Sequence, residues 1–184
     1  IAVLAQANQS PQLALKLLTE AWEYSRDHTY YARGTLPREV ARFDPALARD
    51  MVIDLPAGNR DWAVSGLLAS LAEVAPESAV QLLDMLDNLK SNDARTLACA
   101  TLAYHLAPKD PKLASELFVR ATQAVNPQAK SLTAVFAGSY LVRAALRLGR
   151  DDADKLFDSL LERAKQLGDK KDDMLAGLAE QLGE

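Results

Sequence analysis

One cysteine, Cys99, stands in the whole chain, so no internal disulfide can form and packing has to hold the fold. Two histidines, His28 and His105, supply no His-Glu-x-x-His pair. With no Cys-x-x-Cys and no Asp-rich calcium loop either, a metal site is not expected. The eight glycines are scattered rather than grouped between a strand and a helix, which removes the phosphate-cradling loops of nucleotide-binding proteins. No cofactor is expected. Basic residues number 21 against 25 acidic ones, for a net charge of -4 without any basic run. That balance argues against nonspecific binding to nucleic acid or to an anionic membrane surface. Apolar stretches such as Ala63–Ala72 are broken by polar residues well short of the roughly 20 needed to span a bilayer, so membrane insertion is not expected.

What the chain does have is a recurring pattern. Of 184 residues, 49% are hydrophobic, enough for the core of one domain or of one segment of a longer array. A proline is followed by an alanine three residues on and a large apolar residue one turn later, at Pro11/Ala14/Leu18, Pro45/Ala48/Val52, Pro76/Ala79/Leu83 and Pro111/Ala114/Phe118. Ser10, Asp44 and Asp110 precede three of these prolines as helix-capping residues, and Ala75 precedes the fourth without a capping oxygen. Apolar residues then fall at helical spacing, as in Leu113, Ala114, Leu117, Phe118 and Ala121. The preceding helix repeats too. Arg60, Ala63, Leu67, Leu71 and Ala72 stand at the same offsets from Pro76 as Arg95, Ala98, Leu102, Leu106 and Ala107 do from Pro111.

A drifted fifth copy reads from Arg150 through Ala153, Leu156 and Phe157. Helices are predicted near 1–8, 11–26, 36–43, 45–55, 60–74, 76–90, 93–107, 111–124, 127–148, 151–167 and 170–182, with no sheet. A unit too small to bury its own apolar face is stable when stacked on neighbours, so the pattern predicts an all-α array of helix pairs.

The repeat spacing near 34 residues and the Ala114, Phe118, Ala121 pattern, echoed by Ala14, Leu18 and Ala21, resemble the tetratricopeptide repeat. The first helices lack that family's tryptophan, Leu-Gly and tyrosine pattern, and Asp93 with Arg95 is closer to HEAT-like repeats. The resemblance is therefore to the wider class of α-solenoid repeats. It implies a right-handed α-α superhelix of about five helix-turn-helix repeats over residues 1–167, with a capping helix or tail at 168–184. It also implies a concave or edge surface that binds a protein or peptide. No ligand residue carries over from the family.

The stretch from Trp22 to Arg33 concentrates Trp22, Tyr24, Tyr30 and Tyr31 beside Arg26, His28 and Arg33, in a chain only 6% aromatic. Aromatics with arginines dominate binding hot spots, so Trp22, Tyr24, Arg26, Tyr30, Tyr31 and Arg33 are candidate partner-binding residues. The competing reading is an irregular joint between repeats, since Gly34 and Pro37 should interrupt helix. Arg60 and Arg95, at equivalent offsets, are a second candidate: a ladder of basic groups for an acidic peptide, or arginines paired with Asp61 and Asp93.

Cys99 and His105 lie six residues apart on different faces of one predicted helix, and Cys99 sits in an apolar run, so they form no nucleophile–base pair. Glu73, Glu77, Asp84 and Asp87 read as solvated surface carboxylates. No catalytic residue is nominated. The expectation is a noncatalytic interaction domain for a protein or peptide partner. The alternatives are an enzyme or small-molecule binder with an enclosed pocket, and a spacer holding flanking domains of the same chain apart. A start at Ile1, on what reads as the end of an apolar helix face, predicts a fragment of a longer protein, and the lone cysteine is compatible with the cytoplasm.

Overall fold

The computed structural model describes residues 10–28, 30–126 and 131–168, together with residues 172, 175, 176 and 179. The predicted helix at 1–8, the first residues of the one at 127–148 and most of the one at 170–182 lie outside the described residues. Among the described residues every regular element is a helix and there is no strand. No described helix is long and apolar enough to cross a membrane. The chain divides into two compact units, Ile1–Asn88 and Leu89–Glu184.

In the first unit, α1 (Pro11–His28) buries the stripe Ala14, Leu18, Trp22 and Ser25, one face at helical spacing. It packs on α2 (Tyr30–Val40), which packs in turn on both α3 (Pro45–Ile53) and α4 (Ala57–Val74). Helix α4 is buried on a wide face through Ala63, Val64, Leu67, Leu68, Leu71 and Ala72, and it meets α5 (Pro76–Gln81), which leads into a 3-10 helix at Leu83–Asn88. In the second unit, α6 (Asn92–Leu106) packs on both α7 (Pro111–Ala124) and α8 (Leu132–Arg147), and α8 packs on α9 (Ala153–Lys165). Helices α6 and α8 run parallel. Ser131 at the start of α8 bonds Asp93 at the start of α6, while Arg143 and Arg147 near the end of α8 reach Tyr104 near the end of α6.

The helix starts follow their sequence signals. Asp44 Oδ1 accepts the Leu47 N–H at 2.9 Å, Asp110 Oδ1 accepts the Leu113 N–H at 3.0 Å, and Ser10 Oγ accepts the Leu13 N–H at 3.4 Å. Each thus satisfies an orphan donor of the first turn. The alanines three residues past the helix-opening prolines, Ala14, Ala48, Ala79 and Ala114, are all 0% exposed. A small side chain there lets a neighbouring helix approach closely.

Three predictions need correction. Residues 76–90 are not one α-helix: after Gln81 the chain tightens into 3-10 turns, with the Leu82 N–H on Ala79 O and the Met85 N–H on Leu82 O, each at 3.1 Å. In that geometry side chains three apart eclipse, which carries Leu82 with Met85, and Leu86 with Leu89, into the interior and leaves Leu83 half-buried. Second, Gly34 and Pro37 do not interrupt structure, because α2 runs through both. Proline removes only its own N–H, its carbonyl still accepts the Ala41 N–H at 2.9 Å, and its ring is fully buried, so packing offsets the lost bond. Third, the drifted copy at α9 buries Ala153, but Phe157 is 38% exposed where its counterpart Phe118 is buried.

Candidate functional site

Helix α8 presents Ala134, Ala137, Gly138 and Leu141, spaced one, three and four residues apart, along one side of the second unit. A Cβ at Gly138 would stand 2.8 Å from Leu160 Cδ1, so a larger residue there would oblige the Leu160 side chain to shift. The contact is backed by a core of Val135, Val142, Leu160 and Ala164, against which Leu156, Leu167 and Leu175 pack. Beside the contact a cleft of about 130 Å³ opens, floored by the four α8 residues and walled by Leu156 and Leu160 of α9, with the end of α7 opposite.

Asp93, Thr96, Thr122, Asn126, Ser159 and Arg163 bring polar groups to the lining of this space. Asp93, at the start of α6, accepts the Ser131 hydroxyl at 3.3 Å, and Ser131 Oγ in turn caps α8 by accepting the Ala134 N–H at 3.0 Å. Arg163 enters from α9. Thr96, one turn into α6, lines the cleft at 3% exposure, and its Oγ1 has no hydrogen-bond partner among the described residues. A helical threonine commonly donates to the carbonyl four residues back. The neighbouring Thr122 finds a partner three residues back, donating to Val119 O at 2.8 Å. The cleft can therefore seat an apolar group and offer it the Thr96 hydroxyl. Its described lining contains no cysteine or histidine, and no cluster of metal-ligating side chains occurs among the described residues.

The residues nominated from sequence lie elsewhere. Trp22 is buried at 4% exposure and belongs to the core stripe of α1, whereas Tyr24 is 69% exposed. The side chains of Arg26, Tyr30, Tyr31 and Arg33 lie outside the described residues. Arg60 donates from Nη2 to the carbonyls of Ile53 at 2.7 Å and Leu55 at 2.8 Å, at the end of α3. Arg95 donates from Nη2 to Leu89 O, just beyond the 3-10 helix. Both guanidinium groups thus fasten the start of one helix to the close of the segment before it, and both leave a buried Nε unpaired. Cys99 is fully buried in α6, and His105 meets Tyr104 edge-on with ring centres 4.9 Å apart.

Sequence reading missed the cleft because its residues come from four helices spread from Asp93 to Arg163. Two signals were present: a glycine in the otherwise Ala- and Leu-rich α8, and a threonine, Thr96, at the edge of the apolar run of α6. No family model matches the chain, and no curated protein or solved structure matches it either.

Proposed function

We propose that the chain is a helical-repeat interaction domain, assembled from copies of a two-helix unit of the α-solenoid kind, and that the cleft of its second unit seats one apolar side chain of a protein or peptide partner. Three features support the repeat: the four fully buried alanines, the Asp44 and Asp110 caps, and the shared work of Arg60 and Arg95. The observation that carries the binding reading is the unpartnered Thr96 hydroxyl in an apolar cleft. A buried hydroxyl without a partner costs about 1–3 kcal/mol, and an occupant presenting a backbone amide or carbonyl would relieve it. A cavity of about 130 Å³ accommodates a leucine- or phenyl-sized group.

A labelled sample of the chain applied to a peptide array is expected to select sequences centred on Leu, Ile or Phe. Filling the floor with Ala134→Leu should abolish that selection while the far-UV circular dichroism stays helical. An unchanged selection profile in the filled variant would reject the cleft as the site. The cleft's size also matches a benzene-sized ligand. Displacement of the selected peptides by toluene or phenol would turn the reading toward a small-molecule binder.

A further inference from the structure

Helix α8 has a second face. Phe136, Tyr140, Arg143 and Arg147 follow one another at intervals of four, three and four residues. At about 100° per residue this stripe lies on the side of α8 roughly opposite the cleft residues Ala134, Gly138 and Leu141. Phe136 is 37% exposed and meets Tyr140 edge-on at 5.4 Å. The Arg143 guanidinium lies 4.5 Å from the centre of the Tyr104 ring and 5.6 Å from that of Tyr140, and the Arg147 guanidinium lies 4.2 Å from the centre of the Tyr104 ring. Arg143 Nη2 donates to Tyr104 Oη at 3.1 Å, and Arg147 Nη1 donates to Tyr104 O at 3.3 Å.

Two cations therefore share one tyrosine. Among the described residues neither has a carboxylate within ion-pairing distance, and α8 carries no acidic residue although the chain has 25. Tyr104 holds both guanidinium groups by cation–π attraction and hydrogen bonding, which limits the side-chain entropy they lose on binding. Each uses one donor and keeps the rest of its planar fork for other acceptors.

We propose that this arginine–aromatic stripe docks an acidic peptide segment of a partner protein, with carboxylates on Arg143 and Arg147 and an apolar or aromatic side chain against Phe136 and Tyr140. Charge complementarity identifies the occupant. Two unneutralised arginines in a chain of net charge -4 suit a few isolated carboxylates, whereas a polyanion such as nucleic acid or an anionic bilayer would meet the long-range repulsion of the whole molecule. An exposed phenylalanine and a half-buried tyrosine beside arginine also match the composition of protein-binding hot spots. This surface goes beyond the cleft and stands whether or not the cleft binds.

The experiment uses fluorescence anisotropy of the full chain with a labelled synthetic peptide that carries glutamates around a central phenylalanine. A peptide with lysine in place of glutamate, a single-stranded oligonucleotide and phosphatidylserine-containing vesicles serve as comparison probes. The glutamate peptide should bind best, weakening steeply as salt rises from about 0.05 to 0.5 M and the screening length contracts. The double substitution Arg143→Ala with Arg147→Ala should weaken it at least about tenfold, the usual effect of truncating hot-spot residues. Arg147→Glu alone, at an exposed position, gives the same reading should the double variant lose helicity. Thr101→Val, buried in α6 and lining neither the stripe nor the cleft, should leave this binding unchanged. Equal binding of the lysine peptide, tighter binding of the oligonucleotide or vesicles, or full affinity in Arg147→Glu would overturn the proposal.

Discussion

Thr96 and Thr101 are 3% and 2% exposed, and among the described residues neither hydroxyl has a hydrogen-bond partner. Replacing each with valine keeps the shape and removes a desolvated polar atom, so each variant should be more stable by about 1 kcal/mol, read as a higher urea midpoint at unchanged m. The two positions separate stability from binding. Only Thr96 lines the cleft, so Thr96→Val should also weaken peptide selection whereas Thr101→Val should not. Equal binding by both variants would make the Thr96 hydroxyl an ordinary packing defect.

A third residue-scale effect lies just past α8. Gly149, at φ 65°, ends that helix with the Arg150 N–H on Ala145 O at 3.0 Å, the left-handed closure that glycine permits at least strain. Arg150 then clamps Asp152 through two bonds of 2.9 and 3.0 Å while its guanidinium rests 4.5 Å from the Phe118 ring. Hydrogen bonding from Arg150, followed by its charge, holds the Asp152 carboxyl below its ordinary value. A depressed folded value means that the contribution is complete above the unfolded value near 4 and is lost as pH falls through the folded one. The pair is partly exposed, so solvent screening keeps its worth under about 1 kcal/mol. Asp152→Asn should therefore be slightly less stable than the natural chain at neutral pH. The gap, followed by chemical denaturation, should close as the solution is acidified below about pH 4.

At the scale of elements, α5 is the weak member among the proline-started helices. It lasts six residues, and its N-cap Ala75 has no side-chain acceptor. The backbone is already suited to one. Ala75 sits at φ -150°, ψ 68°, close to Asp44 at -144°, 91° and Asp110 at -139°, 81°, both of which cap. Ala75→Asp should raise stability by about 0.5–1 kcal/mol through the cap and the favourable charge at a helix start, measured as a rise in melting temperature. No rise would mean that the Ser78 N–H, already on Ala75 O at 2.9 Å, gains nothing from a carboxylate.

Local signals account for what the sequence disclosed about these elements. A capping oxygen, a proline at the first helical position and an alanine one turn on act within a few residues, so the starts of α1, α3, α5 and α7 were legible. The shift from α5 into the 3-10 helix was not, because it follows from which leucines the rest of the unit buries. Binding surfaces were the least legible. The aromatic cluster around Trp22 stood out as composition, yet Trp22 itself went to the core. The stripe Phe136, Tyr140, Arg143 and Arg147 was present at helical spacing, but its meaning depends on Tyr104, brought alongside only when α6 and α8 run parallel.

At the scale of the molecule, the division at Asn88 and Leu89 makes a strong statement about independence. Within Leu89–Glu184 every described helix packs on another of the same unit. Val135, Val142, Leu160 and Ala164 close one end of the core, and Leu102, Leu106, Leu117 and Phe118 are buried in α6 and α7. The anchor of Arg95 on Leu89 and the bond of Ser131 to Asp93 are internal as well. No disulfide is required, and the unit falls within the ordinary size range of an autonomous domain. Residues 89–184 expressed alone should therefore fold, giving a helical spectrum and one cooperative transition with an unfolding enthalpy of roughly 60 kcal/mol. They should also bind the glutamate peptide as the full chain does, since both the cleft and the arginine–aromatic stripe belong wholly to this unit. A broad transition whose van't Hoff enthalpy falls far below the calorimetric one would show that the core of the second unit does not close on itself.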